Sequence, residues 1–199
     1  MALIDSLVKD GWLKTSKIID AFRKIKRADF MSDDIKNLDE INEALPIGHG
    51  QTISQPLTVA FMLEQLQPKA GDNVLDVGSG SGWTSALLAQ IVGSKGKVTA
   101  VEIIPELKEF GEKNVAKYNF KNVKFICVDG SKGYREEAPY DKILVSAAGK
   151  DVAQAWKEQL KINGRIVCPI KNSIYTIIKK SENKFEQTEH KGFAFVPLV

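Results

Sequence analysis

Cysteine is scarce: Cys127 and Cys168 are the only two in 199 residues. Each sits within a β-branched run, which predicts buried free thiols rather than a disulfide framework. Histidine is equally scarce. His49 and His190 share no metal-ligand spacing, so no metal site is expected. No apolar run approaches the ~20 residues that a membrane-spanning helix needs. At the amino terminus, Asp5, Lys9 and Asp10 interrupt Leu3, Ile4, Leu7 and Val8, where a signal peptide would keep its apolar residues together. These absences predict a cytoplasmic protein with no membrane partner. A dominant charge is missing too: 28 basic residues against 25 acidic leave a net charge of +3. That argues against a nucleic-acid partner held by a broad basic face.

What is present suits a globular enzyme-sized unit. With 43% hydrophobic residues, the chain can bury a sizeable core as one domain spanning 1–199. Residues 1–56 read as a helical extension followed by a loop, and 57–199 as an α/β core. Ile18, Ile19, Phe22 and Ile25 fall on one helical face after Thr15 and Ser16, which could cap its start. Asp29 to Asp39 is acidic and irregular. The stretch Leu45 to Pro56 is too rich in glycine and proline for a regular element. Pro56 suits the first turn of a helix. From Asn73 onward, short β-branched runs alternate with helical stretches, predicting βαβ units and a doubly wound, mostly parallel sheet. Asn163-Gly164 should turn the chain back. Ile166 to Cys168, Ile174 to Ile178 and Phe193 to Val196 should close it as strands, at least one of them antiparallel.

The loop Asp76-Val77-Gly78-Ser79-Gly80-Ser81-Gly82 follows the first of these strands and precedes a helix. Glycines this dense let backbone approach a ligand that side chains would exclude. Glu102 ends the next strand about 20 residues on, where a carboxylate grips a ribose diol in nucleotide-type sites. Asp129-Gly130 ends the third strand, offering a carboxylate and a backbone N–H to an adenine edge. A dinucleotide would need a third glycine at position 83, which is Trp83, and a helix start free of negative charge for its diphosphate. Asp76 counts against that and favours a cationic ligand such as the ammonium and sulfonium of S-adenosylmethionine.

The segment Leu45-Pro46-Ile47-Gly48-His49-Gly50-Gln51-Thr52-Ile53-Ser54-Gln55-Pro56 resembles the signature of the protein-L-isoaspartate O-methyltransferase family at every fixed position. The likeness extends through Val74 to Gly82, Asp129-Gly130, Ala138-Pro139-Tyr140-Asp141 and Phe195-Val196-Pro197-Leu198, nearly the whole chain. It implies a Rossmann-like methyltransferase sheet with an antiparallel strand near the carboxyl terminus. It also implies S-adenosyl-L-methionine as methyl donor, and isoaspartyl-containing proteins and peptides as partners. By the same resemblance Gln51, Thr52, Ile53 and Ser54 line the channel over the methyl group, and Ser54 corresponds to the active-site serine. Asp76, Gly78, Ser79 and Gly80 surround the methionine part of the donor. Glu102 holds its ribose, Asp129 and Gly130 its adenine. Ile53, Ser54 and the backbone of Val196 meet the substrate peptide.

The chemistry asks for few polar groups. A carboxylate with a pKa near 4 is already ionised at neutral pH and can attack a sulfonium methyl without a general base. Positioning and partial desolvation then carry catalysis. Ser54 lacks the Gly-x-Ser-x-Gly setting and the partners of a hydrolase nucleophile. Its expected role is a hydrogen bond that aims the acceptor carboxylate. His49 occupies an open position of the signature and is left outside the site. One departure stands out: Ser146-Ala147-Ala148-Gly149-Lys150-Asp151-Val152 lacks the two prolines usual there. Two alternatives stay open, a related enzyme acting on another carboxylate or small-molecule acceptor and a non-catalytic donor-binding paralogue. A monomer is expected.

Overall fold

A computed structural model describes residues 2–198. Strands β3 (Asn73–Val77), β4 (Lys97–Glu102), β5 (Val123–Cys127), β6 (Tyr140–Val145), β7 (Leu160–Ile170), β8 (Ser173–Ser181) and β9 (Lys184–Lys191) form one sheet, ordered β5-β4-β3-β6-β7-β8-β9. Adjacent strands from β5 to β7 pair in parallel. β8 runs against both β7 and β9, so it is the single reversed strand of this sheet. From β3 the chain builds outward to β4 and β5, then returns to β3's other side with β6. The carboxyl ends of β3 and β6 therefore flank the switch in winding direction, where such sheets leave a crevice.

Alternate residues of the inner strands face opposite sides of the sheet, and both sides are covered, so these strands are mostly apolar, with Asp76 and Thr99 as buried exceptions. Val74 of β3, Val98 and Ala100 of β4, and Leu144 of β6 join one core. Their neighbours Leu75, Val77, Val101, Ile143 and Val145 join the core on the opposite face. Helices α4 (Trp83–Val92) and α5 (Pro105–Ala116) connect the first three strands, and the short α6 (Gln154–Gln159) precedes β7. Helix α3 (Pro56–Leu66) begins with its proline at the first turn, as expected. The amino-terminal helices α1 (Ala2–Lys9) and α2 (Ser16–Lys24) contribute Leu7, Ile18 and Phe22 to the same core as α3 and α4.

Several sequence expectations need correction. Leu45 to Pro56 is not irregular: β1 (Leu45–Gly48) and β2 (Gln51–Ile53) form an antiparallel hairpin. His49 and Gly50 make its two-residue turn with φ of 53° and 70°, the primed geometry that matches strand twist. Thr15 stands at the start of α2, yet no side-chain cap forms there. Its hydroxyl instead donates to the Glu64 carboxylate of α3. Asn163-Gly164 is not a reversal but an irregularity inside β7, with Asn163 at φ 65° and a register shift against β6. Phe193 to Val196 is not a strand. The last strand is the polar, largely exposed run from Lys184 to Lys191. Cys168 is buried as expected, and burial pushes its thiol up to about 12. Cys127 is exposed, because it closes β5 at the edge of the sheet.

Candidate active site

The crevice at the β3–β6 switch holds a narrow cleft, partly open to solvent, at the place where doubly wound sheets bind their ligands. Its floor is the glycine loop, and each glycine there has a distinct geometric reason. A Cβ on Gly82 would lie 2.7 Å from the Gly111 carbonyl oxygen, and one on Gly111 would lie 2.6 Å from that of Gly80. The loop is thus pressed onto α5 backbone to backbone. A Cβ on Gly78 or Gly80 would make only ordinary contact, with Ala147 at 3.7 Å and Ile47 at 3.4 Å, and what calls for glycine there is a φ of +74° and +49°. These two glycines leave a cradle that a ligand can enter.

Glu102 fixes this cradle. One carboxylate oxygen accepts the Gly80 N–H at 2.9 Å, and the other accepts those of Ile103 and Ile104. Its position at the lip of β4 lines the cleft, beside the half-exposed Ile103 and Ile104. Gly130 lines the same end, and a Cβ there would meet Val77 at 2.5 Å. Asp129 lies outside the cleft lining and is partly exposed. It accepts from the Ser131 N–H and hydroxyl, which with Lys132 hold its carboxyl below the usual range.

Asp76 is placed differently from what its motif position suggests. Strand alternation turns its side chain, with that of Val74, toward the helix-covered face. There it is fully buried and accepts hydroxyl bonds from Thr84 and Ser85 of α4. Desolvation lifts its pKa to about 6 against those hydroxyls, with the nearby Glu102 charge adding to the lift. Oδ1 of Asp76, the Ser79 hydroxyl and the Trp83 indole N–H are buried without a hydrogen-bond partner. Such groups are rare in folded proteins. Their concentration here, with a net acidic cradle, fits a polar cationic ligand.

The hairpin of β1 and β2 roofs the cleft with Ile47, Gln51, Thr52, Ile53 and Ser54. A second, wider groove opens on its far side, bounded by Glu43, Phe61, His190 and residues 191–196. Thr52, Ser54, Ser146 and Val196 line both cavities. These four form a shared wall. Val196 reaches it because its carbonyl accepts the Ala148 N–H, while the Leu198 N–H donates to the Ala148 carbonyl. The proline-poor loop thus carries the tail that completes the site. His49 is exposed at the hairpin tip and lines neither cavity.

Sequence inspection missed Arg27. Its buried guanidinium donates to the carbonyls of Asp39, Ile41, Glu43 and Ser54 at 3.3, 2.8, 2.6 and 3.2 Å. It also lies 5.6 Å from the centre of the Trp83 ring. Burial pulls its pKa down to about 10, so it stays charged at neutral pH. It ties the roof to the floor. Ser146, Ala147, Trp83, Pro197 and Leu198 were missed as well. Pro197 and Leu198 stand in the Phe195–Leu198 motif without a role read from it, the other three carry no motif that marks them, and only the fold brings all five to the cleft.

Comparison with known proteins covers the whole chain. Residues 1–199 match the family model described as Protein-L-isoaspartate(D-aspartate) O-methyltransferase. Proteins named protein-L-isoaspartate O-methyltransferase from Methanopyrus kandleri and Pyrococcus horikoshii are 39% and 41% identical. These alignments cover 99% and 98% of this chain, and 89% and 90% of the relatives. A solved structure titled protein-L-isoaspartate O-methyltransferase superposes with TM-score 0.90 at 28% identity, over 98% of this chain and 64% of that one. A Plasmodium falciparum structure assigned to the same family, in complex with S-adenosyl-L-homocysteine, gives 0.89 at 24% identity over 100% and 97%. At that identity the likeness bears on the fold.

Proposed function

The chain belongs to the protein-L-isoaspartate(D-aspartate) O-methyltransferase family, and we propose that its cleft and groove are the donor and acceptor halves of one transfer site. The reaction moves a methyl group from S-adenosylmethionine to the α-carboxylate of an L-isoaspartyl residue in a damaged protein or peptide. The observation that carries this division is the wall of Thr52, Ser54, Ser146 and Val196, common to both cavities. A carboxylate presented from the groove meets the cleft only across that wall.

When bound, the donor supplies an electrophilic sulfonium methyl. In this assignment Gly78, Ser79 and Gly80 cradle its methionine end, and the unpaired Ser79 hydroxyl supplies a polar partner. Asp76 adds negative potential from beneath the loop. Glu102 takes the ribose with the lone pairs its backbone bonds leave free, and Gly130 offers backbone to the adenine, with Asp129 alongside at the rim. Gln51, Thr52 and Ile53 close the roof and keep water from the methyl. Among the described residues Glu102 is the only ionisable one lining the cleft, and both its oxygens already hold backbone N–H groups. That suits a displacement needing no general base, since the acceptor is ionised before it arrives. Ser54 is half-buried and held by its carbonyl to Arg27, so its hydroxyl can donate to the acceptor carboxylate while Ile53 and the Val196 backbone border it.

Residues of this chain supply every lining position of the cleft and groove described above, so the proposed site needs no second copy. The amino-terminal segment shares its core with the sheet, which supports a single domain over 1–199. No helix among the described residues is long and apolar enough to cross a membrane, and we place the enzyme in the cytoplasm.

Labelled donor with paired peptides, identical except for isoaspartyl or aspartyl at one position, tests the assignment. Ester formation on the isoaspartyl peptide alone is expected. Equal labelling of both peptides, or of neither, would overturn it.

A further inference from the structure

Beyond the shared wall, the groove carries a feature that methyl transfer itself does not use. Four rings from distant parts of the sequence converge there: Trp12 after α1, Phe61 on α3, His190 in β9 and Phe193 in the tail. Phe61 is the hub. Its ring stacks on Phe193 at 4.9 Å, and meets His190 at 5.1 Å and Trp12 at 6.2 Å edge to face. Packed rings of this kind usually close a core. Here Trp12 is 37% exposed and the other three are half-buried, so the cluster presents an apolar surface into an open groove.

Resting on the function proposed above, we infer that this ring cluster is a second recognition site that seats an apolar or aromatic side chain flanking the isoaspartyl residue. The occupant follows from continuity: the groove runs unbroken from the rings to Ser54, Thr52, Ser146 and Val196, so a polypeptide with its carboxylate at the wall must pass this surface. Aromatic pairs gain energy beyond area burial, and the rings are already ordered by one another, so little entropy is lost on contact. Glu43 and Lys191 line the groove with opposite charges, which gives no reason to favour a flank of either sign. Apolar side chains are mostly buried in folded proteins. The cluster therefore favours isoaspartyl sites in locally unfolded chain, where such a neighbour is free to dock.

A series of isoaspartyl peptides with Phe or Ser placed in turn two, three and four residues to either side gives the test. The expected result is one register in which Phe exceeds Ser about fivefold in kcat/KM, expressed mainly in KM. Trp12→Ala and Phe193→Leu should each bring that ratio toward one, with donor affinity retained as the check on folding. A Phe-to-Ser ratio of one in every register, or a ratio that persists in both variants, overturns the inference and leaves the transfer function standing. Absence of turnover on every isoaspartyl peptide overturns both.

Discussion

The donor cleft and the acceptor groove adjoin at one wall but are made in different ways. The cleft floor comes from the ends of β3, β4 and β5, with glycine backbone on at least one side of each contact: the Gly80 N–H on the Glu102 carboxylate, Gly82 against the Gly111 carbonyl, Gly130 against the Val77 side chain. The groove is assembled from Trp12, the hairpin, α3, the loop after β6 and the tail. Side chains and a few long-range bonds hold it. A rigid floor suits a ligand that is the same in every turnover. A wall built from separate pieces suits a polypeptide that differs each time.

The largest effect is expected where the two halves are tied together. Arg27→Ala leaves the carbonyls of Asp39, Ile41, Glu43 and Ser54 without their donor. It should cost about 4 kcal/mol, since each stranded buried group costs about 1–3 kcal/mol and water replaces part of the loss. Urea denaturation measures it. Retained stability would mean the halves are held independently.

Next comes the floor alone. Gly82→Ala places a methyl 2.7 Å from the Gly111 carbonyl oxygen at a φ of +85°, at a cost of about 3 kcal/mol. Donor affinity should fall with it in a binding titration, because the loop must lift off α5. A donor affinity equal to the parent's would show that the cradle tolerates that movement.

Ser54→Ala tests the wall. The methylation rate should fall about thirtyfold at saturating donor and peptide, roughly 2 kcal/mol, with donor affinity little changed. Single-turnover rates beside donor titration separate these quantities. Unchanged rates would remove Ser54 from the transfer step.

The smallest effect concerns Asp76. Its pKa is about 6 in the folded protein and near 3.9 unfolded. Between these values the folded state alone keeps the proton, so stability falls as pH rises through this window and levels off above it. The carboxylate should therefore make the protein about 2 kcal/mol less stable at pH 7 than at pH 4, relative to an Asp76→Asn variant. Parallel denaturation curves of the two proteins across that range give the difference. A constant difference would mean Asp76 titrates in the folded protein as it does in the unfolded chain.

The same contrast governs what could be read in advance. The cradle was legible because its glycines, Glu102 and Gly130 follow the carboxyl ends of successive strands that lie side by side in the sheet, although Asp129 falls outside the cleft lining. The hairpin was missed because Pro46, Gly48 and Gly50 look like breakers, although His49-Gly50 between them makes a primed turn. β9 was missed because a largely exposed edge strand has no apolar alternation to announce it. The direction of Asp76 was misjudged because motif position says which residue is near a ligand, while the pleat decides which way it points.

By itself the sequence determined the alternation of strands and helices, the glycine floor and, through the resemblance of Leu45 to Pro56, the kind of acceptor. These rest on local patterns, where neighbouring residues supply the constraint. Only the tertiary structure decided that Arg27 would bind the roof, that Val196 would reach the wall through Ala148, and that four separated rings would face one groove. Such contacts depend on closing long stretches of chain, which no local pattern encodes.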